Sequence, residues 1–133
     1  MLYSTPQILY VDSDESCRGL VRQLLESPTG YEVTTAGTVE EALELMAART
    51  FDLYIFDQPW RDPVTALELC RCIRQKDGKT PVLILSVLPH EADRNEGLAA
   101  GANEYLVKPD DIGRLPETAG RLLQKKMVSR GNF

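Results

Sequence analysis

Short apolar segments alternate with amphipathic segments along the chain, and this alternation limits the fold more than any other feature of the sequence. Five of the apolar segments have the aliphatic and aromatic composition of buried strands. They begin at about residues 7, 31, 53, 82 and 105. A segment with helical spacing of apolar residues follows each of them. Five β-α units in succession predict an α/β fold in which helices cover both faces of a parallel sheet.

Capping and breaking signals predict where the helices begin and end. The first helix is predicted over about residues 14–26, because the sequence SPTG follows it. Thr38 and Glu41 form a capping box that opens the second helix, whose inward side chains should include Leu43 and Met46. The later helical segments are centred on residues 66–73, cover about 90–100 and, after a turn over 110–114, cover about 115–127.

The length and hydropathy of the chain predict a single domain in the cytoplasm. The 133 residues form one unit, with a core at about 6–127 and a tail or the start of a linker at 128–133. No apolar run reaches the roughly 18–20 residues that span a bilayer, so no membrane association is expected. The N-terminus lacks the basic start and apolar stretch of a signal peptide, which favours the cytoplasm.

Charge and cysteine content argue against several other classes of protein. The net charge is -5 and no basic stripe is present, so direct binding to nucleic acid is not expected. The cysteines are odd in number and none forms a CxxC pair, which argues against a disulfide framework and a zinc site. The single histidine, His90, lies in a polar stretch and is expected to be exposed at the start of a helix.

Polar side chains of complementary chemistry end four of the predicted strands. They are Asp12 after the first strand, Asp57 after the third, Ser86 after the fourth and Lys108 after the fifth. The carboxyl ends of parallel strands meet at one edge of a sheet, where functional groups of such folds gather. We therefore expect these four side chains to lie close together.

This set of groups fits the capture of a phosphoryl group. A carboxylate such as Asp57 can attack phosphorus and form an aspartyl phosphate. Lysine supplies a mobile positive charge, and a serine hydroxyl supplies a hydrogen-bond donor. A divalent ion held by carboxylate oxygens would offset the charge of the incoming phosphoryl oxygens.

The segments ILYVDSDE, FDLYIFD, PVLILS and GANEYLVKP resemble the receiver domains of two-component response regulators. The resemblance covers nearly the whole chain, and the last segment is its most specific part. It implies a flavodoxin-like, three-layer αβα receiver fold with a five-stranded parallel sheet in the order 2-1-3-4-5.

By position, the resemblance also implies a role for each residue at the strand ends. Asp57 becomes the phosphoacceptor, Ser86 the hydroxyl that moves to meet the phosphoryl group, and Lys108 the lysine that pairs with it. Asp12 would help to hold Mg²⁺, together with Asp57 and the main-chain carbonyl of Pro59.

The resemblance further implies how the domain signals. Tyr105 occupies the position of a switch residue that turns inward on activation, and Pro109 would follow a cis peptide bond. A histidine kinase or a phosphotransfer protein would donate the phosphoryl group. The face made by the fourth helix, fifth strand and fifth helix would then bind an effector domain or protein, or form a homodimer. Such a domain is not an enzyme beyond self-catalysed phosphoryl transfer and autodephosphorylation.

Ser13 departs from the family pattern at the metal site. The family usually has two adjacent acids after the first strand, and Ser13 stands where the second of them would be a metal ligand. Asp14 comes one residue later and should point elsewhere. We therefore predict weaker Mg²⁺ binding than in a receiver with both acids.

Two further departures lie close to Asp57 and Ser86. Arg61 stands where the family typically has proline, and it could contact a phosphoryl group or a partner together with Trp60. Val87 stands where the family usually has a very small residue, and its side chain could slow the access of a phosphodonor or of water. These departures leave open a degenerate receiver that acts as a phosphorylation-independent docking module.

Two other classes of protein share parts of this pattern. The sequence DSDES after the first strand resembles the opening of haloacid-dehalogenase-type phosphatases, in which Asp12 would be the nucleophile and Asp14 the general acid. That alternative leaves Asp57 without a role and lacks a late acidic pair. A flavodoxin-type FMN site would need an uncharged phosphate cradle after the first strand, and the acidic DSDES would repel the phosphate.

Overall fold

The computed structural model describes residues 4–59 and 61–131. Within them, five strands form one parallel sheet in the order β2-β1-β3-β4-β5, which confirms the predicted α/β fold. The strands are β1 Gln7–Val11, β2 Glu32–Ala36, β3 Leu53–Gln58, β4 Val82–Ser86 and β5 Glu104–Val107.

Helices follow the strands and make the outer layers. They are α1 Glu15–Thr29, α2 Val39–Ala48, α3 Val64–Lys76, α4 Glu91–Ala100 and α5 Leu115–Gly131, with a 3-10 turn Ile112–Arg114 before α5. One apolar cluster joins α1 and α5 to the sheet, and a second joins α2, α3 and α4 to its other face. In the described part of the chain, no helix is both long and apolar enough to cross a membrane.

The central strand β3 contributes to both clusters. Leu53 and Ile55 pack with α1 and α5, whereas Tyr54 and Phe56 pack on the opposite face of the sheet. Every residue of β3 and β4 is buried, because helices cover both faces of these strands. This packing fixes the carboxyl ends of the two strands, where Asp57 and Ser86 lie.

The first and last helices are longer than predicted. Helix α1 runs to Thr29 rather than ending at about residue 26. Gly30 ends the helix with a φ of 77°, and its N–H donates to the carbonyl of Glu26. Helix α5 continues past residue 127 to Gly131.

The capping box of α2 is confirmed, but one of its predicted core residues is wrong. The Thr38 side chain accepts a hydrogen bond from the N–H of Glu41 at 3.1 Å. Leu43 is exposed, and Leu45 packs against the core instead. Because β2 is an edge strand of the sheet, the helix that covers this edge buries only a narrow stripe.

Candidate functional site

The carboxyl ends of β1, β3 and β5 bring Asp12, Asp57 and Lys108 together. The ammonium group of Lys108 donates a hydrogen bond to Asp57 Oδ1 and lies 3.6 Å from Asp12 Oδ2. The two carboxylates and the lysine are largely buried, with side-chain exposures of 2%, 5% and 14% for Asp12, Asp57 and Lys108. One positive charge therefore faces two negative charges in a space that water reaches poorly.

Tyr10 belongs to this site, although its place in an apolar strand gave no sign of a polar role. Its side chain is fully buried, and its hydroxyl donates a hydrogen bond to Asp12 Oδ2. Asp12 Oδ1 accepts the N–H of Asp14 at 2.9 Å. Both oxygens of Asp12 are therefore engaged by protein donors. Burial, followed by the hydrogen bond and charge of Asp12, raises the pKa of Tyr10, which keeps the phenol protonated as a donor.

Asp14, the acid next to Ser13, uses one of its carboxylate oxygens to cap a helix. It is the N-cap of α1, and its Oδ1 accepts hydrogen bonds from the N–H groups of Ser16 and Cys17 at 2.8 and 3.2 Å. Asp14 also lines the cavity that contains Ser13 and Asp57, so the expectation that it points elsewhere stays a prediction. Ser13 lines the cavity above Asp57.

The donors at this site have the chemistry that a hard divalent cation prefers, but they include few carboxylates. They are Asp12, Asp57 and the carbonyl of Pro59, which accepts a hydrogen bond from the N–H of Asp62 at 3.3 Å. Across residues 4–59 and 61–131, no group of three or more His, Cys, Asp or Glu side chains is placed to hold a metal ion. These residues fit Mg²⁺ in donor type, with one acid fewer than a three-carboxylate site.

The Ser86 hydroxyl is engaged by the backbone. It donates to the carbonyl of Gln58 at 3.3 Å and accepts the N–H of Leu88 at 3.0 Å. Ser86 is fully buried, so its hydroxyl must exchange these partners in order to reach a group on Asp57.

Tyr105 lies inward, and Gln58 is its partner. The Tyr105 hydroxyl lies 2.8 Å from the carbonyl of Leu88 and 3.1 Å from Gln58 Oε1. Both side chains are 2% exposed. Gln58 was not among the predicted site residues; the only sign of it in the sequence is an amide directly after Asp57.

A cavity of about 610 Å³ opens above Asp57 and Lys108. Its walls are mostly apolar and include Cys17, Leu20, Val21, Val87 and Ile112, with Arg61 as a second cationic residue. The Val87 side chain is exposed at this cavity, as its position after β4 suggested. Trp60 lies outside the described residues. The Lys108–Pro109 peptide bond at the cavity edge is cis.

Comparison with known proteins identifies the family to which this fold and site belong. The family profile described as "Response regulator receiver domain" matches residues 8–119. The chain belongs to the response regulator receiver domain family. Its function class is therefore that of a receiver in two-component signal transduction.

Similar proteins agree with this assignment. The receiver domain of the Francisella response regulator 1452 superimposes with a TM-score of 0.80 at 29% identity, covering 91% of this chain and 98% of that one. A CheY-like response regulator receiver domain protein from Methanospirillum hungatei JF-1 gives a TM-score of 0.82 at 26% identity, covering 95% and 99%.

The curated relatives are longer than this chain. The phosphate regulon transcriptional regulatory protein PhoB of Rhizobium meliloti is 38% identical over 128 residues, which are 94% of this chain and 53% of PhoB. Response regulator MprA of Mycolicibacterium vanbaalenii is 36% identical over 127 residues, with coverages of 94% and 53%. The receiver thus spans about half the length of the curated relatives it matches.

The pKa values of Asp57 and Lys108 are both shifted upward, by burial for Asp57 and by the neighbouring acids for Lys108. Burial raises the pKa of Asp57 from 3.8 to about 6; Lys108 opposes this shift and Asp12 adds to it. Burial alone would lower the pKa of Lys108, but the hydrogen bond to Asp57 and the charges of Asp57 and Asp12 outweigh it and raise that pKa. Lys108 is therefore protonated, and Asp57 is mostly ionised only above about pH 6.

We expect the ionisation of Asp57 to lower the stability of the receiver. Its folded pKa of about 6 exceeds the unfolded value of 3.8, so the folded state binds more protons between these values. The free energy of unfolding should therefore fall by about 1–2 kcal/mol from pH 4 to pH 7, after allowance for solvent screening at the cavity mouth. Urea unfolding across this range should show the loss in wild type and not in Asp57→Asn. If the free energy of unfolding changed with pH in the same way in both proteins, Asp57 would not be the group responsible for the loss.

Proposed function

We propose that Asp57 accepts a phosphoryl group from a histidine kinase or a phosphotransfer protein in the cytoplasm. The observation that carries this proposal is the buried carboxylate of Asp57 at the floor of an open cavity, hydrogen-bonded to Lys108. The apolar walls of the cavity would exclude water around the reacting groups, and a lysine at its floor offsets the charge of an incoming phosphoryl group.

In the proposed transfer, an oxygen of Asp57 attacks phosphorus. The new O–P bond forms as the P–N bond of a phosphohistidine breaks, and the imidazole nitrogen keeps the electron pair. Asp57 Oδ1 is held by Lys108, which leaves the second carboxylate oxygen to attack. The ammonium group of Lys108 would then stabilise the phosphoryl oxygens. Asp57 must be ionised to react, so the transfer should be faster above pH 6 than below it.

Asp12, Asp57 and the Pro59 carbonyl are the groups that would hold Mg²⁺. When bound, the ion would supply positive charge against the phosphoryl oxygens. The Asp12 oxygens already accept hydrogen bonds from Tyr10 and from the N–H of Asp14, so a cation would have to compete with these donors. This competition and the serine at position 13 support weaker Mg²⁺ binding than a receiver with both acids would show.

The phosphoryl group would act on the rest of the domain through Ser86 and Lys108. Its oxygens would attract the Ser86 hydroxyl away from the main-chain carbonyl of Gln58. The side chain of the same Gln58 contacts the Tyr105 hydroxyl. The face made by α4, β5 and α5 would respond and would bind an effector domain or protein, or a second copy of the receiver. We propose no catalysis beyond phosphoryl transfer to Asp57 and its hydrolysis.

A degenerate receiver that docks without phosphorylation is the second candidate function. It is favoured by Ser13 and by the engagement of both Asp12 oxygens. The haloacid-dehalogenase alternative is disfavoured, because it leaves Asp57 without a role and because its general acid, Asp14, has one oxygen engaged in capping α1. Incubation with acetyl phosphate and Mg²⁺, followed by intact-protein mass spectrometry, separates the two receivers. A phosphorylatable receiver gains one phosphoryl group that Asp57→Asn does not gain, whereas a docking module gains none.

Val87 should lengthen the lifetime of the phosphoryl group on Asp57. Its exposed side chain borders the cavity through which an attacking water would have to pass. We expect Val87→Ala to speed autodephosphorylation by about threefold to tenfold, since one obstructing side chain is worth about 1 kcal/mol of barrier. Decay of the phosphorylated proteins after removal of acetyl phosphate measures the rate. Equal decay rates in wild type and Val87→Ala would show that Val87 does not control the access of water. Val64→Ala is the matched control, because Val64 is exposed on α3 and lies outside the cavity lining.

A further inference from the structure

Gln58 connects the phosphoacceptor strand with Tyr105 and with the start of α3. Its side-chain N–H donates to the carbonyl of Pro63 at 2.8 Å, and its Oε1 lies 3.1 Å from the Tyr105 hydroxyl. Its main-chain carbonyl accepts hydrogen bonds from the Ser86 hydroxyl at 3.3 Å and from the N–H of Val87 at 3.4 Å. The residue next to Asp57 therefore contacts three parts of the site through its polar atoms.

The orientation of the Gln58 amide follows from its partners. The carbonyl of Pro63 can only accept a hydrogen bond, so the amide nitrogen must face it. Gln58 Oε1 then faces Tyr105, whose hydroxyl must act as the donor. The Leu88 carbonyl oxygen lies 2.8 Å from the same hydroxyl oxygen. The Tyr105 hydroxyl therefore donates to two acceptors, the Leu88 carbonyl and Gln58 Oε1.

The Tyr105 ring fits into a space that Gly97 leaves open. A β-carbon at position 97 would lie 3.0 Å from the ring atom Cδ2 and 3.1 Å from Ile84 Cδ1, both closer than ordinary contact. The ring thus packs inward against α4. If the ring rotated outward, Gln58 Oε1 would remain buried without a donor, which is unfavourable.

We propose that Gln58 is a positioning residue that holds Tyr105 inward before any phosphoryl group reaches Asp57. The side-chain hydrogen bonds of Gln58, rather than phosphorylation alone, then set the conformation of the face made by α4, β5 and α5. The Gln58–Tyr105 contact does not depend on phosphoryl transfer; only its consequence for signalling rests on the proposed function.

The reactivity of each tyrosine toward tetranitromethane tests this proposal, with peptide mass spectrometry as the readout. In wild type without a phosphodonor, Tyr105 should react as slowly as the buried Tyr10 and Tyr54, and at least about tenfold more slowly than the half-buried Tyr31. Gln58→Leu should raise the rate at Tyr105 by about tenfold and leave Tyr10 and Tyr54 unchanged. This pattern separates a local effect on Tyr105 from general loosening of the core.

Three further variants make the result decisive. Gln75→Leu places the same substitution on the exposed surface of α3 and should change no rate. Gln58→Met keeps the length of the side chain but removes the acceptor oxygen Oε1. If Gln58→Leu also raises the rate at Tyr10, the methionine variant serves as the second test. Asp57→Asn should show the wild-type pattern, so a failure of phosphorylation cannot be confused with a failure of this proposal. A wild-type Tyr105 that reacts like Tyr31, or unchanged protection of Tyr105 in both folded Gln58 variants, would overturn the proposal.

Discussion

Replacing Lys108 with methionine should lower the free energy of unfolding by about 3 kcal/mol at pH 8, because it leaves two buried carboxylates without their cation. Asp12 and Asp57 would then repel each other in a site that water reaches poorly. At pH 5 the loss should be smaller, since Asp57, whose pKa is already about 6, is largely protonated there. Urea unfolding at the two pH values measures both effects.

Two variants control for the lost charge and for the lost lysine side chain. Lys125→Met removes the same charge from an exposed position of α5 and should change the stability by less than about 0.5 kcal/mol. In an Asp57→Asn background, Lys108→Met should cost only about 1 kcal/mol, because one of the two unpaired charges is gone. If Lys108→Met were as stable as wild type at pH 8, the lysine would not be the partner that keeps these acids in the core.

Replacing Ser13 with aspartate should tighten Mg²⁺ binding by about tenfold, because it adds a carboxylate at the edge of the cavity that holds Asp57. Without metal, the same change should destabilise the domain, since it places a third acid beside Asp12 and Asp57. Added Mg²⁺ should then raise the thermal midpoint of Ser13→Asp more than that of wild type. Isothermal titration measures the affinity directly.

Asp14→Asn is the matched control for the added acid. Asparagine keeps the oxygen that caps α1, so the fold should be preserved while the carboxylate charge is lost. Its Mg²⁺ affinity should therefore equal that of wild type. A marked loss of affinity in this variant would identify Asp14 as a ligand, and an unchanged affinity in Ser13→Asp would show that position 13 does not face the cation.

The strand pattern predicted the sheet and three of the principal site residues for one physical reason. Strands buried on both faces are continuously apolar, so the first polar residue after each one marks the functional edge of the sheet. Asp12, Asp57 and Lys108 were found in this way, and the structure brings them within hydrogen-bonding or ion-pair distance.

Tyr10 and Gln58 could not be identified by the same argument, because Tyr10 lies inside the apolar run of β1 and Gln58 comes after Asp57, the residue that this argument selects in β3. A buried tyrosine is normal in a core, and only its position two residues before Asp12, on the same side of the strand, hints at the hydrogen bond that they form. Of the side-chain partners of Gln58, Pro63 lies five residues away at the N-cap of α3, whereas Tyr105 of β5 is 47 residues away in sequence. The present partners of the Ser86 hydroxyl depend on a side-chain rotation that sequence does not encode.

The most direct measurement of the central claim is chemical trapping of the phosphorylated residue. Borohydride reduces an aspartyl phosphate to homoserine, which tandem mass spectrometry locates in the chain. After treatment with acetyl phosphate and Mg²⁺, homoserine should be found at position 57 in wild type, and nowhere in Asp57→Asn. Homoserine at position 12 or 14, or none in a folded wild-type protein, would contradict the account of Asp57 as the phosphoacceptor.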